Sequence, residues 1–321
     1  MSKLQRIYKM LATSRGQIPY AIFRNLTRFG LTKWMPDKLY IEIMYRLAMG
    51  KKLDLSNPLT YNEKLQWLKL YDRNPDYVMM VDKYRVRKYI AGKIGKEHLI
   101  PLIGVWQRAE DIDFDKLPNQ FVLKCNHDSG SIVICTDKNK FDKKLAIRKL
   151  SKALKTSGYW YGREWPYKNV LPCVIAEKYM FDDSGVELKD YKFLCFNGKH
   201  RCTLTGTERF KESGVKITFF DLDWNKLPFE QHDPASKEDI PKPVNYDEMK
   251  KFAEILSKDI PYARIDFYEV SGKTYFGEIT FYPGSGILEF TPESWDRTLG
   301  DWLKLPPKDS LYSSDSSDWG K

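Results

Sequence analysis

Apolar and polar positions recur with a helical period along the first part of this chain and alternate in short runs further on. Ile18, Tyr20, Ile22, Phe23, Leu26, Phe29, Leu31, Trp34 and Met35 are interleaved with Arg24, Arg28, Lys33 and Lys38, which predicts basic, mostly helical structure over residues 1–50. Asn57-Pro58-Leu59-Thr60 breaks the chain, and Thr60 with Glu63 predicts a capping box for a helix from Asn62 to Tyr71. A further helix is expected over Tyr77 to Ile94, carrying Asp82-Lys83-Tyr84, then a short strand and turn over Leu99 to Gln107. Gln120 to Cys135 reads as strand, loop, strand. There Phe121, Leu123 and Cys125 alternate with Val122, Lys124 and Asn126, so Lys124 stands on the face away from the apolar set. A Lys-rich amphipathic helix over Phe141 to Thr156, a dense aromatic loop over Tyr159 to Tyr167 and a buried strand over Pro172 to Met180 follow.

Two hairpins come next. In Asp190 to Leu204 the Asn197-Gly198 dipeptide favours a type I′ turn that pairs Phe196 with Lys199. That register puts Tyr191, Phe193, Cys195, Cys202 and Leu204 on one face and Asp190, Lys192, Arg201, Thr203 and Thr205 on the other. The second face suits an anionic ligand or plain solvent equally well. Lys216 to Phe220 is a strand ending in Asp221-Leu222-Asp223, and Asn245 to Lys258 is helical.

In Arg264 to Gly286 two strands meet at Ser271-Gly272 and run into Pro283-Gly284-Ser285-Gly286. A two-residue turn would pair Val270 with Lys273 and send Asp266 and Glu278 to opposite faces. A three-residue turn, Ser271-Gly272-Lys273, would pair Val270 with Thr274, setting Asp266 across from Glu278 and Arg264 across from Thr280. The three-residue turn is the expectation here, because only that register builds a divalent-metal site; an ordinary hairpin with solvated acids is the competing reading.

Length and charge narrow the class. At 321 residues, 42% hydrophobic and 14% aromatic, the chain can bury a sizeable core in two or three subdomains. We divide it at 1–75, 76–180, 181–305 and a Ser/Asp-rich, disordered tail over 306–321. Five cysteines without metal-type spacing read as reduced, buried thiols of a cytoplasmic protein. No apolar run approaches a membrane span, and there is no signal-peptide pattern. Of the 53 Lys and Arg and 43 Asp and Glu, residues 1–60 hold 11 and 3, so nearly all the excess charge is N-terminal. Such a region either caps the body with its apolar face, lies on an anionic membrane surface such as the inner membrane face, or holds an anionic polymer. No recognised module accompanies the charge, which argues against nucleic acid as a partner.

Candidate chemistry is spread over several motifs. The Asn126–Ser131 loop offers backbone N–H groups, hydroxyls and a glycine suited to phosphates, though no Gly-Lys-Ser/Thr opens a helix after it. Asp221-Leu222-Asp223 reads either as the metal motif of a nucleotide-sugar glycosyltransferase or as an acidic turn continued by Trp224-Asn225-Lys226. In combination, Lys124, the glycine loop, Glu177-Lys178, Lys192, Asp266 and Glu278 resemble an ATP-grasp nucleotide site. Asn57-Pro-Leu-Thr-Tyr-Asn-Glu-Lys-Leu-Gln-Trp67, Asp82-Lys-Tyr84, Leu123-Lys-Cys-Asn-His-Asp-Ser-Gly130, Asp190-Tyr-Lys-Phe193 and Gly277-Glu-Ile-Thr-Phe281 are similar to the TupA-like branch over about residues 38–303. That branch is named for teichuronopeptide synthesis and occurs in bacterial cell-surface polysaccharide systems.

The resemblance implies an α+β fold in which two antiparallel sheets clamp ATP. It implies Lys124 at the α/β-phosphates and Asn126, Ser129, Gly130 and Ser131 closing over them. Glu177, Lys178, Tyr179 and Met180 would stand at the adenine and Glu187 at the ribose. Asp266 and Glu278 would hold Mg²⁺, and Arg264 and Lys192 would stabilise the transferred phosphoryl group. Where such enzymes commonly carry an asparagine two residues after the metal glutamate, this chain has Thr280, whose hydroxyl can act directly or through a water. The implied reaction is ATP-dependent joining of a carboxylate, borne by a glycan, sugar or attached amino acid, to an amine such as an amino acid or amino alcohol. A glycosyltransferase using Asp221 and Asp223 and a non-catalytic polysaccharide-assembly protein are the rival expectations.

Overall fold

Thr60 closes the capping box its spacing to Glu63 predicts: its hydroxyl accepts from the Glu63 amide, and the Glu63 carboxylate accepts from the Thr60 amide. A computed structural model describes residues 18–181, 188–208 and 214–308. Within them α1 (Ile18–Arg28) and α2 (Asp37–Met49) form a helical pair, and α3 (Tyr61–Tyr71) begins at the Thr60 cap. The single helix expected over Tyr77 to Ile94 is two, α4 (Asp76–Val81) and α5 (Val86–Ile94). The break is made by Asp82, whose Oδ1 accepts from the amides of Tyr84 and Arg85, competing with the helical bonds.

Strands β1 (Leu102–Trp106), β2 (Phe121–Cys125), β3 (Val133–Cys135) and β4 (Val174–Lys178) form one antiparallel sheet in the order β1-β4-β2-β3. Phe121, Leu123, Cys125, Val174 and Ala176 are buried under Leu150 of α6 (Lys143–Leu154), leaving Lys124 and Glu177 on the other face. The segment expected as an aromatic loop instead contains a short helix, α7 (Tyr159–Gly162), and a 3₁₀ turn, Trp165–Asn169.

A second antiparallel sheet holds β5 (Asp190–Phe196), β6 (Lys199–Thr207), β7 (Lys216–Phe220), β9 (Tyr262–Val270) and β10 (Lys273–Thr280), in the order β10-β9-β5-β6-β7. A small ladder pairs β8 (Glu230–Gln231) with β11 (Phe290–Thr291). Phe193 and Phe267 pack toward α8 (Tyr246–Leu256), and the Phe193 and Tyr246 rings lie 5.5 Å apart. Tyr61 of α3 and Trp302 of α9 (Ser294–Trp302) cover Phe196 and Tyr262, whose rings stand 5.1 Å apart.

Two registers correct the expectations. The β9–β10 turn has two residues, both left-handed (Ser271 φ 49°, Gly272 φ 70°), and pairs Val270 with Lys273. A bulge at Gly277 then absorbs one residue, so Asp266 lies across from Glu278 and Arg264 across from Thr280. In the β5–β6 hairpin Phe196 does pair with Lys199, but a bulge at Arg201 shifts the rest. Lys192 therefore faces Leu204 and Leu194 faces Cys202, while Thr203 and Thr205 turn inward beside Phe193 and Tyr191. The expected division into an apolar and a cationic face is not formed. The inward hydroxyls are satisfied: Thr205 donates to the Asp190 carbonyl at 2.9 Å, and Thr203 lies 2.9 Å from His200 Nε2.

All five cysteines are free and buried. Among the described residues no helix is long and apolar enough to cross a membrane. Residues 309–321 of the expected disordered tail lie outside the described residues.

Candidate functional site

The chemistry gathers where β5, β9 and β10 run side by side. Their pairing places Lys192, Asp266 and Glu278 in one row and Leu194, Arg264 and Thr280 in the next, on one face of the sheet. Arg264 grips Asp266 in bidentate fashion, Nε to Oδ1 and Nη2 to Oδ2, each at 2.7 Å. The same Nη2 donates to Glu278 Oε1 at 2.9 Å and Thr280 Oγ1 at 3.1 Å. Lys192 donates to Asp266 Oδ2 at 2.8 Å and pairs with Asp190. Thr280 Oγ1 in turn donates to Glu278 Oε1 at 3.3 Å. Asp266 is sealed in, whereas the Glu278 side chain keeps one-third of its surface exposed (33%).

Electrostatics single out Glu278. Burial pushes its carboxyl up, but Lys83, Arg264, Lys192 and Lys124 outweigh it and hold the group at about 2. Burial likewise disfavours the Arg264 charge, and Asp266 and Glu278 more than restore it, so its guanidinium titrates above the ordinary arginine range. Two of the four cations on Glu278, Arg264 and Lys192, come from its own sheet. Lys124 comes from the four-stranded sheet, and Lys83 from the break between α4 and α5.

Lys83 is the functional candidate the sequence reading missed. Its Nζ donates to the Asp128 carbonyl at 2.7 Å, lies 3.7 Å from Glu278 Oε2, and its amide donates to the Asn126 carbonyl at 3.0 Å. It thus ties the glycine loop to the carboxylate cluster. The signal was present: Asp82, a poor helix-interior residue, marked the place where a continuous helix would stop. Arg87 of α5 was missed as well. It reaches Glu177 Oε1 at 3.2 Å, and Lys124 reaches Oε2 at 2.6 Å, so Glu177 sits between two cations.

The loop residues divide by role. Asn126 is buried: its Oδ1 accepts from the Cys173 amide at 2.8 Å and its Nδ2 donates to the Leu171 carbonyl at 3.0 Å. Ser131 is buried too, accepting from the Cys125 amide at 2.8 Å and donating to Asp128. These two side chains shape the loop; Ser129 and Gly130 are exposed at its tip. Lys178 is exposed, with its amide bonded to the Pro101 carbonyl at 3.0 Å, and Tyr179 and Met180 follow half-buried. Glu187 lies outside the described residues. Asp221 is spent on a turn, Oδ1 accepting from the amides of Asp223 and Asn225, which is the acidic-turn alternative.

A family model described as TupA-like ATPgrasp matches residues 63–304. The chain belongs to the TupA-like ATP-grasp family. No curated protein matches it. Among solved structures, D-alanine–D-alanine ligase from Bacillus anthracis complexed with ATP is similar at 19% identity, with a TM-score of 0.38 over 63% of this chain and 55% of that one. The D-cycloserine synthetase DcsG gives 13%, 0.38, 70% and 71%. The ATP-grasp ligase PsnB, complexed with a precursor variant, Mg and ADP, gives 9%, 0.41, 86% and 73%. The family assignment rests on the sequence match over residues 63–304.

Whether an ATP-grasp site of this chain suits Mg²⁺ depends on its donors. Among the described residues no three His, Cys, Asp or Glu form a self-sufficient cage. Mg²⁺ does not need one: it is commonly held by one or two carboxylates, waters and substrate phosphates. Glu278 suits it best, being ionised, partly exposed and faced on Oε2 by a cation at 3.7 Å. Asp266 stands across from it with each oxygen already bonded, and the Thr280 hydroxyl braces Glu278.

Proposed function

We propose that this protein is an ATP-dependent ligase that joins a carboxylate to an amine through an acyl phosphate. The observation that carries the reading is Glu278: an ionised, partly exposed carboxylate under cations from both sheets. Polyphosphate needs cations delivered from two sides, and the metal that accompanies it needs a carboxylate that stays charged.

In this reading Lys83 and Lys124 meet the nucleotide phosphates, with the Ser129-Gly130 tip folding over them and the strand end at Tyr179 and Met180 lying along the base. Glu278, with Asp266 across the ladder and Thr280 beside it, would hold Mg²⁺, which neutralises phosphate charge when bound. Arg264 and Lys192 stabilise negative charge at the transferred phosphoryl group. The substrate carboxylate oxygen attacks the γ-phosphorus and ADP departs. The amine then attacks the acyl carbon, phosphate leaves, and the nitrogen loses a proton to give the amide. Membership of the TupA-like branch favours a carboxylate on a cell-surface glycan precursor, with an amino acid or amino alcohol as the amine, and a cytoplasmic setting for an ATP-dependent step.

The test is ADP release by the purified protein with MgATP against panels of uronic acids, amino acids and amines, with hydroxylamine present to trap an acyl phosphate as hydroxamate. Hydroxamate that requires both ATP and a carboxylate supports the ligase. Sugar transfer from a nucleotide sugar without ATP, lost in Asp223→Asn, would replace it with the glycosyltransferase. The absence of both reactions together with weak nucleotide binding would leave an assembly scaffold.

A further inference from the structure

Large apolar side chains of the N-terminal helical pair face solvent. Ile18, Ile22 and Leu26 recur every four residues along α1, and Phe29, Leu31 and Trp34 follow in the turn toward α2. Phe29 and Trp34 are each 76% exposed. The turn folds them back onto the end of the helix: the Leu31 amide donates to the Leu26 carbonyl at 2.9 Å, and Trp34 Nε1 donates to the Leu31 carbonyl at 2.9 Å. A patch of this kind on a folded surface marks a docking face. The other side of the pair is already committed: Thr27, Thr32 and Tyr40 are buried and hydrogen-bonded together.

The exposed charges between Arg24 and Lys38 have one sign. Arg24, Arg28, Lys33 and Lys38 are all exposed. Asp37, the acid of this stretch, turns inward to accept from the Tyr159 hydroxyl and to face Arg163 at 3.7 Å and Arg73 at 3.8 Å. We propose that this face lies on an anionic phospholipid bilayer, with the apolar stripe of α1, Phe29 and Trp34 at the headgroup–acyl boundary and the four cations among the lipid phosphates. A second copy of the chain is a poorer occupant, because a two-fold contact would bring two basic helical pairs together.

The docking face is braced to the segment bordering the carboxylate cluster. Tyr40 donates to the Tyr161 carbonyl at 3.0 Å, and Arg163 donates to the Thr32 carbonyl at 2.8 Å. A docked molecule would hold its site at a fixed attitude to the bilayer.

The experiment is flotation of the full chain with vesicles of phosphatidylcholine alone and of equimolar phosphatidylcholine and phosphatidylglycerol. Binding to the anionic vesicles is expected, falling with added salt. The pair Arg24→Gln and Arg28→Gln should weaken it by about thirty-fold. The pair Phe29→Ser and Trp34→Ser should weaken it comparably while circular dichroism and thermal melting stay unchanged. Absence of binding, or binding indifferent to both lipid charge and the two variant pairs, overturns the proposal. So does sedimentation of the free protein as a dimer that Phe29→Ser and Trp34→Ser dissolve, since the face would then belong to a second copy.

Discussion

Glu278 owes its charge to neighbours on two sheets, and that makes two substitutions informative at the scale of single residues. Its carboxyl sits at about 2 against an ordinary 4.5. A depressed carboxylate stabilises the fold fully above its unfolded value, and the stabilisation is lost as pH falls from about 4.5 through about 2. With a third of the side chain exposed, the effect at neutrality is discounted to about 1–2 kcal/mol. Urea unfolding should therefore show Glu278→Gln less stable than wild type near neutral pH, with the gap closing toward about pH 2. An equal gap at both would mean the surrounding cations do not act on this group. ADP release should fall about a thousandfold in the same variant. Lys83→Met tests the contribution from the break between α4 and α5. Losing a charge-assisted contact to phosphate should lower kcat/KM for ATP by about thirty-fold. An unchanged value would confine Lys83 to tying the loop to β10.

At the scale of elements the decisive feature is the bulge at Gly277, because it alone brings Asp266 and Glu278 level after a two-residue turn. A Cβ there would lie 3.0 Å from the Asp266 carbonyl oxygen and 3.1 Å from the Tyr268 ring, so the strands approach too closely for any other residue without adjustment. Gly277→Ala should cost about 1–2 kcal/mol and reduce ADP release by far more than its melting curve would explain, since Glu278 shifts with the strand. Gly272→Ala is the contrast. It meets nothing within 4 Å but sits at φ 70°, so it should cost about 1 kcal/mol and leave activity intact. The same bulge shows what the sequence could and could not reveal. The expected three-residue turn is not formed, yet the Asp266–Glu278 and Arg264–Thr280 pairings it was chosen for are, and a glycine inside a strand was the overlooked sign of how a two-residue turn still gives them. The bulge at Arg201 carries no such sign, and the faces of β6 were misread accordingly. Lys124, Lys192, Arg264 and Asp266 were legible because alternation within a strand fixes a face, whereas Glu278 joins them only through the bulge. Lys83 was not, because its position depends on where Asp82 ends a helix and on a loop distant in sequence.

For the whole molecule the question is what holds the two sheets around the cluster. Helices α4 and α5 pack into the core of the five-stranded sheet, with the Tyr77 ring stacked 4.0 Å from Phe281. Further joins are a parallel bridge of Leu99 with Phe276, His98 Nδ1 at 2.9 Å from the Thr274 carbonyl, and the Tyr89 hydroxyl at 3.3 Å from the Leu256 carbonyl where α5 meets α8. Across the cluster itself the connection is electrostatic, from Lys83 and Lys124 to Glu278. A nucleotide bound by both sides would therefore stabilise the molecule as a unit. At a hundredfold excess over Kd, MgATP should add about 2.7 kcal/mol, raising Tm by about 3–6 °C in a protein of this size. Removing the metal with EDTA should shrink that shift, because the triphosphate would then meet Glu278 as one anion meets another. In Glu278→Gln the repulsion is gone along with the ligand, so the shifts with MgATP and with ATP plus EDTA should become equal. Differential scanning fluorimetry of both proteins in the two conditions reads this directly. A metal-dependent shift that persists in Glu278→Gln would move the metal away from this carboxylate, and no shift in any condition would favour a fold kept for assembly without nucleotide.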